Sequence, residues 1–140
     1  LNQPDSVKYL PYIPAPKYTL ELKADTKKLM PGFQNAFVKL GLDYYFEQNK
    51  IYAVNNTETI TGSYYLLNFS AGSDLVIKNK SILTVYLSIN NLFDEGYQSH
   101  LSRLKYAPEN YATGRTGVFE MGRNFSFKVI VPFGFSKGIN

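Results

Sequence analysis

Apolar and polar residues alternate one by one along five separate stretches of this chain. In residues 18–23, Tyr18, Leu20 and Leu22 share one face, and Thr19, Glu21 and Lys23 the other. In residues 36–46, Ala36, Val38, Leu40, Leu42, Tyr44 and Phe46 form a wholly apolar face opposite Phe37, Lys39, Gly41, Asp43 and Tyr45. Residues 63–74 set Tyr65, Leu67, Phe69 and Ala71 against Leu66, Asn68, Ser70 and Gly72. Leu83, Val85, Leu87 and Ile89 then alternate with Thr84, Tyr86, Ser88 and Asn90. In residues 124–133, Phe125, Phe127, Val129, Val131 and Phe133 oppose Asn124, Ser126, Lys128, Ile130 and Pro132. Successive side chains of a strand point to opposite faces, so a period of two predicts strands that are wet on one side only.

The connections carry a second signal. Asp25-Thr26-Lys27-Lys28 with Pro31-Gly32 reads as a short polar connection, and Lys78-Asn79-Lys80 as a short basic turn. Residues 47–61 and 93–120 are long and polar. The order short, long, short, long is that of an outer-membrane barrel, with tight periplasmic turns and long outer loops. The apolar face of residues 36–46 is also long against a soluble strand of about 5–6 residues. The predicted fold is therefore all-β, with about five antiparallel up-and-down strands forming part of a transmembrane β-barrel. Residues 1–16 read as a lead-in stiffened by Pro11, Pro14 and Pro16, residues 17–133 as the barrel strands, and residues 134–140 as a loose tail. With Phe133 at the periplasmic side, both long loops lie outside the cell and the turns near Lys27 and Lys78 inside.

Composition agrees with this picture and removes others. Charged residues make up 19% and hydrophobic residues 44% of the 140, too apolar for a disordered chain. Aromatics reach 16%, with 12 Tyr, 10 Phe and no Trp, which suits strands and apolar–polar boundaries. Tyr44, Phe46 and Tyr65 fall at strand ends, where amphipathic rings sit at headgroup level; the girdle reading is favoured over the alternative, cross-strand packing in a soluble sheet. The net charge of +4 comes from scattered Lys and Arg, a solvated surface and not a nucleic-acid stripe. The absence of cysteine excludes disulfides, thiolate metal sites and Cys nucleophiles. Leu1 to Asp5 is polar and carries no secretory signal, as expected of an exported protein cut down to its last part. No stretch of about 18 apolar residues predicts a membrane helix, which a barrel does not need.

Three strings resemble the C-terminal region of TonB-dependent outer-membrane receptors. Leu10-Pro11-Tyr12-Ile13-Pro14-Ala15-Pro16 is similar to that family's proline-rich lead-in to a late barrel strand. Ile89-Asn90-Asn91-Leu92-Phe93-Asp94, with Tyr97 after it, resembles the Asn-Leu-Phe-Asp box that ends the penultimate strand. Gly122-Arg123-Asn124-Phe125, running on to Phe133, resembles the closing strand with its barrel-end aromatic. Residues 99–106 and Thr113-Gly114-Arg115 look like the subgroup found in Bacteroidetes bacteria. The resemblance spans about Leu10 to Phe133. It departs from the family in continuing past Phe133, so that Phe135 is an alternative end signal.

The resemblance implies a bacterial outer-membrane location and energy-driven import of a scarce nutrient, with a lean to an iron–siderophore or related metal chelate. It implies outer-membrane lipid and the rest of a 22-stranded barrel with its N-terminal plug as partners, and the TonB complex through that plug. No cofactor, no enzyme activity and no nucleic acid are expected.

Candidate chemistry is sparse. His100 is the single histidine; alone it makes no metal site, and an exposed loop position is its default. Tyr97, His100 and Arg103 together form a candidate ligand contact in the outer loop, suited to an anionic chelate. Asp43 and Glu47 have same-face spacing, but two acids facing a wet lumen need no acid–base role. Arg103, Lys105 and Tyr106 make only a weak case for nucleobase stacking. No phosphate loop or nucleophile elbow appears. The competing reading is a soluble all-β ligand-binding module of carbohydrate-binding type, which requires all five apolar faces to meet in one shared core.

Overall fold

The computed structural model describes residues 8–78 and 80–133. Five strands, β1 (Lys17–Met30), β2 (Phe33–Tyr45), β3 (Tyr64–Ile77), β4 (Lys80–Asn90) and β5 (Asn124–Ile130), form one open sheet. The sheet order is the chain order and every pairing is antiparallel, an up-and-down meander. No α-helix occurs among the described residues.

The register joins the five alternations into one surface. Leu22 pairs with Leu40, Leu40 with Phe69, Phe69 with Ile89, and Ile89 with Phe125. One face of the sheet is therefore apolar across all five strands. Nothing among the described residues covers it: the single buried hydrophobic side chain is Ala36, and Leu22, Leu40, Leu87, Phe125 and Phe127 are all exposed.

The opposite face is polar and internally paired. Lys39 Nζ bonds Glu21 at 2.9 Å, and the Asp43 carboxylate takes Lys17 at 3.3 Å and the Thr19 hydroxyl at 2.7 Å. Thr84 and Asn35 side chains both donate to Asp74. Across Gly72 on this face, Phe37 and Tyr86 approach with ring centroids 6.1 Å apart. A side chain on Gly72 would meet those rings at 2.6 and 2.8 Å, so the glycine makes room for the pair.

Strand limits differ from the sequence expectation in three places. β1 runs on through Asp25 to Lys28, which pair with β2 instead of forming a connection. The turn is Pro31-Gly32 alone, with Gly32 at φ 87; proline followed by a glycine at positive φ is a type II arrangement. β3 and β4 likewise extend to Ile77 and back to Lys80. At the other end, β5 stops at Ile130, paired with Thr84, and the expected continuation to Phe133 is not strand. Pro132 has no N–H to donate to a ladder, and Phe133 stands 83% exposed. The tail from Gly134, with Phe135, and residues 1–7 of the lead-in lie outside the described residues, as does Asn79 in the second turn.

The asymmetry of the connections holds. Pro31-Gly32 and the turn at Lys78 lie side by side at one end, tied by Val76 N–H donating to Gly32 O at 2.8 Å. Residues 46–63 and 91–123 both emerge at the other.

Candidate functional site

The loop end is a folded body built from three chain segments. The lead-in is held to residues 46–63 by the Gln48 amide, which donates to Ile13 O at 3.0 Å and Pro14 O at 3.2 Å, and by Phe46 N–H donating to Pro16 O. Glu58 is buried, and its carboxylate accepts the N–H groups of Tyr12 and Tyr52. Backbone donors of this kind are what a buried carboxylate requires in place of water.

The second long loop locks onto the first through Lys105. Its ammonium, on a residue 8% exposed, donates to Thr59 O at 2.9 Å and Thr61 Oγ1 at 2.7 Å. The same hydroxyl lies 2.8 Å from His100 Nδ1. His100 is 6% exposed, so the expectation of an exposed loop histidine is corrected: the imidazole is an internal strut between the loops. Its Nε2 is buried without a hydrogen-bond partner. Burial holds its pKa below the ordinary imidazole value; the Lys105 charge adds to that shift and Glu58 opposes it.

The strand-ending box has a structural reason. Asn91, with φ 53, donates through its amide to Glu95 O at 2.9 Å and accepts Glu95 N–H at 2.8 Å. Asp94 Oδ1 accepts Arg123 N–H at 2.7 Å, one residue before β5 begins. The box thus turns the chain out of β4 and fastens the start of β5.

Two aromatic groups mark this end. Tyr45 and Tyr64, paired across β2 and β3, stack at 4.5 Å, and Tyr97 from the second loop stacks on Tyr64 at 4.7 Å. On the apolar face, Tyr18, Tyr44 and Tyr65 are aligned by register. Phe46 packs edge-on against Tyr44 at 4.9 Å, and Phe93 against Tyr65 at 6.5 Å.

Between the loops lies a cavity of about 590 Å³ lined by Tyr64, Tyr97, Gln98, Lys105, Tyr106 and Phe119 among others. This is the size of a small-molecule site, with aromatic walls and a few polar groups. Burial raises the Tyr97 phenol pKa, with Glu120 and Tyr45 adding to it, so the hydroxyl stays protonated and able to donate. Of the three residues predicted as a ligand contact, Tyr97 lines the cavity and His100 braces its wall through Thr61. Arg103 is exposed at the start of the 3-10 turn Arg103–Tyr106 and is absent from the lining. Asp43 and Glu47 do not form a pair: Asp43 is engaged by Lys17 and Thr19, and Glu47 accepts from the Asn49 amide. No group of three metal-ligating side chains converges among the described residues.

Sequence reasoning missed Tyr64, Phe119 and the strut role of Lys105. Tyr64 was legible only as a neighbour of Tyr65; its register partner Tyr45 decides that it faces the loops.

No protein-family model, no curated protein and no solved structure matches this chain.

Proposed function

We propose that this chain is the C-terminal part of the β-barrel of a TonB-dependent outer-membrane receptor, which imports an iron–siderophore or related metal chelate. The observation that carries the reading is the continuous, uncovered apolar face on a sheet whose turns and loops segregate to opposite ends. In water such a face is costly at roughly 25 cal/mol per Å²; in a bilayer it is the face that meets lipid. Strand length agrees for β1, β2 and β3, with 14, 13 and 14 residues, while β5 with 7 is shorter. The 14 residues of β1 extend about 46 Å at ~3.3 Å each, or about 35 Å once tilted by ~40°, enough to cross a hydrocarbon core of about 30 Å. The aligned Tyr18, Tyr44 and Tyr65 with Phe46 and Phe93 suit one headgroup belt.

In this reading the paired polar face lines the lumen against the plug, and both sheet edges join the rest of the barrel. The TonB complex supplies energy through the plug, and the loop cavity is part of the outer mouth where cargo first rests. A soluble carbohydrate-binding module is less well supported, since it needs a second layer over the apolar face.

The test uses the full-length protein in its bacterium. An epitope inserted near Tyr111 is expected to be labelled on intact cells, and one inserted at Pro31-Gly32 only after the outer membrane is opened. Deletion is expected to remove growth on chelated iron as sole iron source. Recovery of the full-length protein as a detergent-free soluble monomer overturns the barrel; normal chelate uptake without it overturns the cargo.

A further inference from the structure

Among the described residues Lys105 is the single buried lysine or arginine. Its ammonium touches only uncharged groups: Thr59 O, Thr61 Oγ1 and, 5.3 Å from the centroid, the ring of Tyr106. No carboxylate of the described residues pairs with it, whereas Lys17, Lys23 and Lys39, all partly exposed, each have one. Glu58, the buried acid of the same body, is engaged by the N–H groups of Tyr12 and Tyr52 instead. A charge taken out of water is costly alone, and buried ions in folded proteins are paired as a rule. Lys105 is thus a buried cation that lacks its counter-charge within the chain.

The same residue lines the cavity between the loops. An ammonium has three N–H groups, and Thr59 and Thr61 take two of them. The third is left for an oxygen that enters the cavity. The other charged lining residue is Glu95, which is only half-buried, so that water still solvates its carboxylate. Arg115 adds a second cation, 5.2 Å from the centroid of the Phe119 ring, and Glu120 acts on Tyr64 and Tyr97 from outside the lining. The other large walls are flat rings: Tyr64, Tyr97, Tyr106 and Phe119. At about 590 Å³ the cavity takes an organic molecule and not only an inorganic ion. One ammonium matches one negative charge, and ring walls match a flat apolar body.

We propose that the loop cavity binds an aromatic carboxylate, its carboxylate taken by Lys105 Nζ and its ring set against Tyr97 and Phe119. The ligand class follows from the cavity alone. That such a ligand is part of an imported cargo rests on the receptor reading, so binding and uptake are measured apart.

The purified full-length protein is dialysed to equilibrium at pH 7.5 and fixed ionic strength, with detergent on both sides. The probes are 2-naphthoate, its neutral isostere 2-naphthamide, the cation 2-naphthylmethylamine and a maltose oligomer. Naphthoate is expected to bind at least about tenfold more tightly than each of the others, in keeping with a charge-assisted hydrogen bond. Lys105→Met is expected to remove that preference, leaving naphthamide within about threefold of wild type. Glu95→Gln, which leaves the Lys105 bonds intact, is expected to keep naphthoate binding or to tighten it. Phe119→Ala is expected to weaken naphthoate and naphthamide alike. Equal binding of naphthoate and naphthamide, tighter binding of the amine or the sugar, or loss of naphthoate binding in Glu95→Gln overturns the proposal. So does an unchanged preference in Lys105→Met. Should Lys105→Met unfold the loops, the wild-type probe series and Glu95→Gln still decide. Normal chelate uptake by cells lacking the protein overturns the receptor reading and leaves the binding result standing.

Discussion

Thr61 and His100, thirty-nine positions apart in sequence, meet at 2.8 Å between Oγ1 and Nδ1 and so join the two long loops. The same Thr61 hydroxyl accepts from the buried Lys105 ammonium at 2.7 Å. Thr61→Val keeps the shape and removes both partners. A charge-assisted bond left unmade on a buried ammonium costs about 1.5–3 kcal/mol. The expected result is faster amide exchange in residues 47–63 and 97–106 of the full-length protein, with the strands unchanged. Thr61→Ser, which keeps the hydroxyl, is expected to restore protection.

Acid is expected to loosen the same body. Burial, with Lys105 adding, holds the folded pKa of His100 below its ordinary value. The unfolded loop therefore binds the proton more readily. The stabilisation is complete above about pH 6.5, falls as the pH drops below that, and is gone once the folded pKa is passed. Amide exchange of residues 97–106, corrected for the intrinsic rate, is expected to be slower at pH 7.5 than at pH 5. His100→Gln is expected to flatten that dependence, and an unchanged slope in this variant counts against the assignment.

The two faces of the sheet are expected to respond oppositely to charge. Leu40 sits mid-strand between Leu22 and Phe69 on the apolar face, and Leu40→Arg is expected to destabilise or block assembly by about 2–4 kcal/mol. Ser126 faces the polar side, paired with Ser88, and Ser126→Lys is expected to stay within about 0.5 kcal/mol. Denaturant unfolding of the assembled receptor reads both. Equal tolerance of the two changes argues for water on both faces.

The cavity separates Tyr97 from Arg103. Tyr97→Ala removes one wall and the stack on Tyr64, and is expected to weaken chelate binding about tenfold, in keeping with the worth of a buried aromatic contact of about 1 kcal/mol or more. Arg103→Ala is expected to change binding by less than about threefold, because its side chain lies outside the lining. Equilibrium binding to whole cells at fixed ionic strength checks both, and a larger loss from Arg103→Ala reverses the assignment.

Strand number, direction and facing were legible because the alternation has a period of two and each strand has one wet side. Leu22, Leu40, Phe69, Ile89 and Phe125 could be assigned to their faces before any pairing was known. Strand ends were less legible. Asp25 to Lys28 look like a turn by composition, yet their backbone pairs with β2 and the ladder continues through them. Alternation also ran past Ile130 to Phe133, where Pro132 cannot donate to a ladder. The loop site was mostly hidden. Tyr64 lies more than about forty positions from Lys105 and Phe119, and no local pattern encodes their meeting. His100 was noticed for its rarity, while its burial depends on Thr61 and Lys105.

The hydrogen bonds among the lead-in, residues 46–63 and residues 91–123 have a collective meaning for the loop end. Three segments that leave the sheet at different strands share Gln48, Glu58 and Lys105 as fastenings. Loss of any one of these fastenings is expected to lower the protection of all three segments together. The loop end is thus one cooperative unit, in which Tyr97 of the second loop and Tyr12 of the lead-in are linked through Lys105, Thr59 and Glu58.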